Sequence, residues 1–235
     1  MVNQAEPIEV FYWSTPNGKK ITIMLEELGV PYTVRFVNIG KDEQWTPEFG
    51  AISPNHQIPA IRDPEGPGGA PITIFESGAI LLYLARKFGR LYPRNDERAR
   101  VEVEQWLFWQ VAAFGPMLGQ AHHFNIAAPE DVPYAISRYG GIARRLYTVL
   151  DERLAGRDYV AADDFTIADI ALFGWADRHQ RQGIHLTDYP NVKAWYERVR
   201  ARPAVARGRA VIKPGHTDTT VINQQRLALA RAASA

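Results

Sequence analysis

The strand-like segments of this chain all lie before residue 76, and this distribution limits the folds that it can adopt. Four short segments combine β-branched and aromatic residues with flanking turn residues, which is typical of strands: 8–13, 32–39, 58–61 and 71–75. Apolar residues at helical spacing predict one helix between the first two strands and another that begins near Ser77. The first part is therefore predicted to be βαβ followed by ββα, a small mixed sheet with helices.

Beyond residue 96 the sequence carries only helical patterns. The predicted helices are 97–124, 134–154, 166–180 and 191–202. Gly115-Pro116 is expected to kink or break the first of them, because proline cannot donate a backbone hydrogen bond. We therefore expect an α/β domain at 1–88, a linker at 89–96, an all-helical domain at 97–210 and a tail at 211–235.

Charge and hydropathy exclude several classes of partner. The 235 residues carry a formal net charge of +1, which is too small to indicate a nucleic-acid-binding protein. The sequence has no uninterrupted apolar run of about 18 residues, so no membrane-spanning helix is expected. Residues 1–7 lack the charged and apolar regions of a secretory signal. We expect a cytoplasmic protein that binds neither a membrane nor nucleic acid.

The chain contains no cysteine, which constrains its chemistry. Disulfides, thiolate metal sites and cysteine nucleophiles are all excluded. The adjacent residues His122 and His123 would face different ways on a helix, so no metal site is predicted there either. Any thiol chemistry must therefore use a thiol that the protein binds.

The first candidate binding motif is the turn at residues 14–20, where a strand leads into a helix. A helix N-terminus offers unpaired N–H groups and a partial positive charge, which stabilise an anion and make a nearby thiol more acidic. The hydroxyls of Ser14 and Thr15 can donate to a thiolate, and so can the amide of Asn17. Capping of the helix is the simpler explanation of this motif when it is taken alone.

The second motif is the segment 54–61, in which a proline opens a strand beside a turn. A proline in this position is a candidate for a cis peptide bond, and the residue concerned is Pro59. A cis bond would turn the N–H and C=O groups of Ile58 away from the strand ladder, where they could pair with the backbone of a bound peptide. The alternative is an ordinary trans proline on an edge strand.

The third motif is Glu76-Ser77, at the start of the second predicted helix. Ser77 is predicted to be the N-cap, and its helix N-terminus can receive a carboxylate. Glu76 can pair with an ammonium group; a solvated glutamate beside a plain cap is the alternative. The three motifs share one face in the predicted domain. Together they would accept an extended peptide with a zwitterionic end, a central backbone and a thiol, which is the layout of glutathione.

The order of the elements and these motifs resemble the cytosolic glutathione transferases over residues 8–210. Within that family the sequence is most similar to the bacterial nu class, the branch with disulfide-bond reductase activity. The segments that carry the likeness are 15–18, 53–55, 75–84, 105–110, 115–120, 122–124, 133–136 and 138–139. The resemblance implies a thioredoxin-like N-terminal domain, an all-α C-terminal domain and a homodimer.

The resemblance also implies roles for single residues at the thiol and γ-glutamyl ends of glutathione. Thr15 and Asn17 would lie beside the sulfur, and Ile58 would pair with the cysteinyl backbone. Glu76 and Ser77 would hold the γ-glutamyl end.

The glycyl end would contact Gln44, with help from His56 or Gln57, and Arg138 would reach the ligand from the helical domain. The pocket for a second substrate would be lined by Trp109, Phe124, Tyr134 and residues 44–46. Ser14 stands where other classes of the family place a catalytic serine. The likeness leaves open whether Ser14 or Thr15 carries the main hydroxyl and favours Thr15; Tyr12 is a third choice, but its place inside the strand favours a packing role.

Three functions fit these expectations. The first is a glutathione-dependent disulfide-bond reductase that uses the bound thiolate as its nucleophile. The second is a transferase that conjugates glutathione to electrophilic small molecules, and the third is a non-enzymatic glutathione-binding or regulatory module. Glutathione is the expected co-substrate, as one or two molecules or as glutathione disulfide in each site, and no metal is expected.

Overall fold

The computed structural model describes residues 6–215, and its N-terminal part is built on a four-stranded sheet. The strands are β1 (Ile8–Tyr12), β2 (Tyr32–Phe36), β3 (Ala60–Asp63) and β4 (Ile72–Phe75). Their order is β2-β1-β3-β4, with β1 parallel to β2 and the other neighbours antiparallel. Ala60 pairs with both Phe11 and Phe75, so the ends of β1 and β4 and the start of β3 lie at one end of the sheet.

Three helices accompany the sheet and confirm the predicted βαβ and ββα order. They are α1 (Pro16–Leu28) between β1 and β2, α2 (Pro47–Gly50) before β3, and α3 (Ser77–Phe88) after β4. Together with the helical second part, this arrangement is the predicted fold class, an α/β thioredoxin-like domain followed by an all-α domain.

The observed strand boundaries differ from the prediction by up to three residues, and two of these differences have clear local reasons. β2 ends at Phe36 rather than at residue 39, because Asn38 caps a 3₁₀ turn by accepting the N–H of Gly40 at 3.0 Å. β3 begins at Ala60 rather than at residue 58, since Pro59 has no N–H group to contribute to a strand ladder.

The second part contains six helices within the described residues. They are α4 (Glu97–Trp109), α5 (Gly115–His122), α6 (Pro133–Leu154), α7 (Ile167–Ala176), α8 (Pro190–Arg200) and α9 (Pro203–Ala210). Thr166 and Asp169 form a capping box at the start of α7. The sequence pattern does not predict α9, because the face that it buries consists of Ala204, Val205 and Gly208, which carry little hydrophobic signal.

Of the kink or break expected at Gly115-Pro116, the break is absent, and the chain is helical from Glu97 to Ala127. A π-helical turn, Gln110–Phe114, precedes the pair, and the N–H of Gly115 donates to the carbonyl of Gln110. This wider turn changes the hydrogen-bond pairing just before the proline, so the helix continues past it.

Helix α1 lies between the sheet and the helical part, and one hydrophobic core runs through both. Glycines allow α7 and α9 to approach α1 at backbone distance. A Cβ atom on Gly174 would lie 2.7 Å from the carbonyl oxygen of Pro16, and one on Gly208 would lie 2.6 Å from the Cα of Ile23. The first turn of α1 is therefore held against α7.

No helix formed by residues 6–215 is long and apolar enough to cross a membrane. Of the tail expected at 211–235, residues from 216 onward lie outside the described part of the chain.

Candidate functional site

The three sequence motifs meet at the end of the sheet where β1 and β4 finish and β3 begins. Thr15 follows β1, Pro59 precedes β3 and Glu76 follows β4. The Nζ atom of Lys20 in α1 donates to the Oγ atom of Ser77 in α3 at 3.2 Å, so the N-terminal turns of the two helices are neighbours. Two helix N-termini therefore border one site, which favours anionic groups there.

The first motif places a hydroxyl donor at the start of α1. Thr15 is the N-cap, and its Oγ1 accepts the N–H of Gly18 at 3.1 Å. Because this oxygen already acts as an acceptor, its single proton remains to be donated to an anion. Ser14 is buried, and its Oγ has no hydrogen-bond partner among the described residues.

Asn17 is not the cap of α1, although its sequence position allowed that role. Its Oδ1 accepts the indole N–H of Trp175, a residue of α7, at 3.0 Å. The side-chain amide of Asn17 is therefore tied to the helical part of the protein, and its Nδ2 group is not engaged by this bond.

The second motif contains a cis peptide bond between Ile58 and Pro59. The paired residues of β3 begin at Ala60, so the backbone groups of Ile58 stand outside the strand ladder. Ile58 itself is buried, whereas the neighbouring Gln57 is exposed. The carbonyl of Gln57 accepts the hydroxyl of Ser53 at 2.9 Å, which fixes the approach to the cis bond.

Gln44 and His56, both expected at the glycyl end, contact one another. The Nδ1 atom of His56 lies 2.8 Å from the carbonyl oxygen of Gln44, and the ring of Trp45 lies against the His56 ring with a centroid distance of 4.8 Å. The side-chain Oε1 of Gln44 is buried and has no partner in the part of the chain that the structure describes.

The third motif differs from the prediction in one respect, because Glu76 rather than Ser77 occupies the N-cap position of α3. Glu76 is exposed and has φ 71° and ψ 114°, outside the conformations that a non-glycine residue prefers. Such a backbone costs about 1–3 kcal/mol and is found most often where function requires it. Ser77 is the first helical residue, and its hydroxyl accepts from Lys20.

Lys20 is the polar residue of the site that the sequence analysis missed. Its ammonium group is buried between Ser77 and Gln110, with the shorter bond, 2.7 Å, to Oε1 of Gln110. Burial lowers the pKa of Lys20 to about 7, and the carboxylate of Glu76 opposes this shift. Its position four residues before Met24, on the border of the apolar face of α1, is the sequence signal that could have revealed it.

The remaining predicted residues lie in the helical part. Arg138 is exposed on α6. Phe124 stacks on Tyr139 with a centroid distance of 5.5 Å, and Tyr134 is 75% exposed. Trp109 is partly buried, and its ring packs on the buried ring of Phe114 with a centroid distance of 5.2 Å.

Within residues 6–215 no group of three histidine or acidic side chains is placed to hold a metal ion. The ring of His122 lies 3.5 Å from the guanidinium of Arg181, and burial lowers the pKa of His122 to about 4. A neighbouring positive charge disfavours a cation at this ring.

Comparison with known proteins agrees with this geometry. The family model for the glutathione S-transferase N-terminal domain matches residues 15–87, and the one for the C-terminal domain matches residues 141–203. The protein named disulfide-bond oxidoreductase YfcG of Escherichia coli is 50% identical over 207 residues, which are 88% of this chain and 95% of that protein. This chain belongs to the glutathione S-transferase family.

Other members of the glutathione S-transferase family show which ligands the fold can hold. Disulfide-bond oxidoreductase YghU of Escherichia coli is 42% identical over 87% of this chain and 75% of its own length. A glutathione transferase family member from Pseudomonas fluorescens, solved with two glutathione molecules bound, is 43% identical, with a TM-score of 0.82 over 87% of this chain and 92% of that one. One from Pseudomonas putida, solved with one glutathione disulfide per subunit, is 39% identical, with a TM-score of 0.84 over 89% and 93%.

Proposed function

We propose that this protein is a glutathione-dependent disulfide-bond reductase whose nucleophile is the thiolate of bound glutathione. The observation that carries the proposal is a chain without cysteine whose first helix begins with an available hydroxyl donor, that of Thr15. The relatives named disulfide-bond oxidoreductases and the neighbours solved with two glutathiones or one glutathione disulfide support it.

Glutathione lies across the end of the sheet in this proposal. Its sulfur is placed beside Thr15 and Asn17, with Ser14 as the other hydroxyl, and its cysteinyl backbone pairs with the N–H and C=O groups of Ile58. The γ-glutamyl ammonium pairs with Glu76, and the carboxylate meets Ser77 at the N-terminus of α3.

Four further residues complete the binding site. Gln44 receives the glycyl end, whose carboxylate accepts from the side-chain N–H groups of Gln44, while His56 and Gln57 border the same end. Arg138, exposed on α6, approaches the ligand from the helical part.

The reaction consumes two glutathione molecules, which supply both electrons, and it requires no other reductant. The bound thiolate attacks one sulfur of the substrate disulfide, forms a mixed disulfide and releases the other sulfur as a thiolate, which takes up a proton. A second glutathione thiolate then attacks the glutathione sulfur of the mixed disulfide. This step releases the remaining substrate thiol and leaves glutathione disulfide, so the substrate gains the two electrons that the glutathiones lose.

The protein accelerates these steps by position and electrostatics, because it contributes no covalent nucleophile. The N-terminus of α1 and the Thr15 hydroxyl stabilise the thiolate, which is the attacking species. Each hydrogen bond to a charged group contributes about 1.5–3 kcal/mol, which corresponds to a lowering of the thiol pKa by about one to two units.

The finer features of the proposal follow the family resemblance. We expect a cytoplasmic homodimer, with domains at 1–88 and 97–210, a linker at 89–96 and a tail at 211–235. Val101 and Phe108 are exposed, and since they are seven residues apart on α4 they share one face that suits a second subunit.

The test is reduction of a small dialkyl disulfide by glutathione with the purified protein, followed through glutathione reductase and NADPH. We expect a rate well above the reaction without protein. A rate equal to that background would refute the reductase proposal. Faster turnover of a chloro-nitrobenzene would instead favour the conjugating transferase, and failure to bind immobilised glutathione would favour a non-enzymatic module.

A further inference from the structure

The indole of Trp175 determines which way the Asn17 amide faces. An amide side chain can present either its oxygen or its nitrogen to a neighbour, and the choice follows from its hydrogen-bond partners. An indole N–H can only donate, so the atom of Asn17 that lies 3.0 Å from Trp175 Nε1 must be the oxygen. The two N–H donors of Asn17 are consequently turned away from Trp175.

Trp175 is itself held in a narrow space between helices. A Cβ atom on Gly115 would lie 3.0 Å from its Nε1, and one on Gly119 would lie 3.1 Å from its Cη2. These two glycines are four residues apart on α5 and so form a groove along one face of that helix, in which the indole lies. Neither of them has a side chain that would displace the ring.

The backbone around Trp175 is fixed as well. Its carbonyl oxygen accepts the Nε2 of Gln182 at 2.8 Å, and Gln182 is buried and also accepts the hydroxyl of Tyr147 at 2.9 Å. The preceding residue, Gly174, brings α7 against the first turn of α1, where Asn17 is located. The distance between the indole and the amide is therefore set by the packing of α7 on α1.

The orientation of the amide has a direct electrostatic consequence at the proposed sulfur position. An amide N–H group donates to a thiolate and stabilises it, whereas an amide oxygen in the same place would repel it. A site in which Asn17 could rotate freely would present both arrangements. A site in which Asn17 is fixed presents only the donor.

We propose that Trp175 is a positioning residue, whose indole N–H holds the Asn17 amide with its N–H groups toward the glutathione sulfur and so favours the thiolate. This inference rests on the proposed function, because it places the sulfur beside Asn17. It assigns to the helical part of the protein a share in thiol activation, through one hydrogen bond between α7 and α1. Trp175 touches neither the ligand nor the reacting atoms in this role.

The test compares Trp175→Phe with the wild type. Phenylalanine keeps an aromatic ring in the groove and removes the N–H group, so Asn17 loses its orienting partner. The pKa of the bound thiol, measured by the ultraviolet absorbance of the thiolate, is expected to rise by about one unit, since a hydrogen bond to a charged group is worth about that much. The acid limb of kcat/KM for disulfide reduction should move by the same amount.

Trp106→Phe is the matched control, because Trp106 is a tryptophan of the same helical part that packs on Trp109 and Arg153. It should leave the thiol pKa unchanged. In an Asn17→Ala background, Trp175→Phe should cause no further shift, because Trp175 acts through Asn17. An additional shift of the same size in that background would overturn the proposal.

A second perturbation covers the case in which Trp175→Phe does not fold. Gly119→Ala favours the helix locally and displaces the indole, while both hydrogen-bonding residues remain. It should raise the thiol pKa in the same direction by a smaller amount. A wild-type protein without disulfide reduction would refute the proposed function; an active wild type whose thiol pKa is unaffected by both substitutions would refute the role of Trp175 alone.

Discussion

Replacing Lys20 by methionine isolates the electrostatic cost of a buried ammonium group beneath the site. The two side chains have similar length, and only lysine titrates. Burial lowers the pKa of Lys20 from 10.5 to about 7 in the folded protein, while Glu76 opposes the shift. In the unfolded chain the lysine returns to its ordinary value.

The sign of the effect follows from proton binding in the two states. Between about pH 7 and pH 10 the unfolded chain holds a proton on Lys20 that the folded protein has lost, so stability rises as pH increases. A gap of about 3.5 pKa units corresponds to about 5 kcal/mol over the whole interval. Between pH 7 and pH 9 the wild type should therefore gain about 2 kcal/mol relative to Lys20→Met.

The substitution has a second effect that does not depend on pH. Methionine leaves Ser77 Oγ and Gln110 Oε1 without the donor that Lys20 supplies, which costs about 1–3 kcal/mol for each buried group. This loss lowers the free energy of unfolding of the variant by the same amount at every pH. The slope of the difference against pH is consequently the quantity that reports the buried charge.

The assay is urea unfolding followed by tryptophan fluorescence, at one protein concentration and at a series of pH values from 6 to 9. Lys193→Met is the matched control, because Lys193 is exposed on α8, and its difference from the wild type should be the same at every pH. Parallel curves for the wild type and Lys20→Met would refute the reasoning. They would mean that the ammonium group keeps its proton in the fold.

Three further predictions concern the site and the packing around it. Thr15→Ala should lower kcat/KM for disulfide reduction by about 10- to 100-fold, from the loss of one hydrogen bond to a thiolate, and Ser14→Ala should lower it less; equal losses would reassign the hydroxyl. Glu76→Ala should raise the Kd for glutathione at least about tenfold in calorimetry, because the ligand ammonium loses its partner, and an unchanged Kd would contradict that placement. Gly208→Ala should destabilise the fold by about 1–3 kcal/mol in urea, because its Cβ meets the backbone of α1, whereas Gly141→Ala on α6 has room and should be neutral or stabilising.

Local patterns were sufficient to predict most of the first part of the molecule. The strands and α1 are each encoded by neighbouring residues, and Thr15 and Pro59 are recognisable from their place between elements. Where a predicted boundary was wrong, a neighbouring residue favoured another local structure. Asn38 starts a turn inside the predicted second strand, and Ser77 is the first residue of the helix that it was expected to cap.

Long-range contacts explain what the sequence did not predict. In the sequence Lys20 has the features of a surface residue. It is buried because the helical part packs over it, and Gln110, 90 positions later, accepts its hydrogen bond. The bond between Trp175 and Asn17 joins residues 158 positions apart, and no periodicity relates them. Helix α9 was missed because the residues that it buries carry little hydrophobic signal, and the contact of Gly208 with Ile23 is visible only in the folded protein.

The contact between α9 and α1 affects any attempt to dissect the protein. Gly208 brings the two backbones together, Thr22 donates its hydroxyl to the Gly208 carbonyl at 2.8 Å, and Arg202 forms two bonds with Glu27. A fragment cut after the sheet would expose this side of α1 to water and would remove the hydrogen-bond partners of the Thr22 hydroxyl and the Glu27 carboxylate. A transplant of the ligand-binding half into another protein must therefore include α9, although α9 lies far from α1 in the sequence.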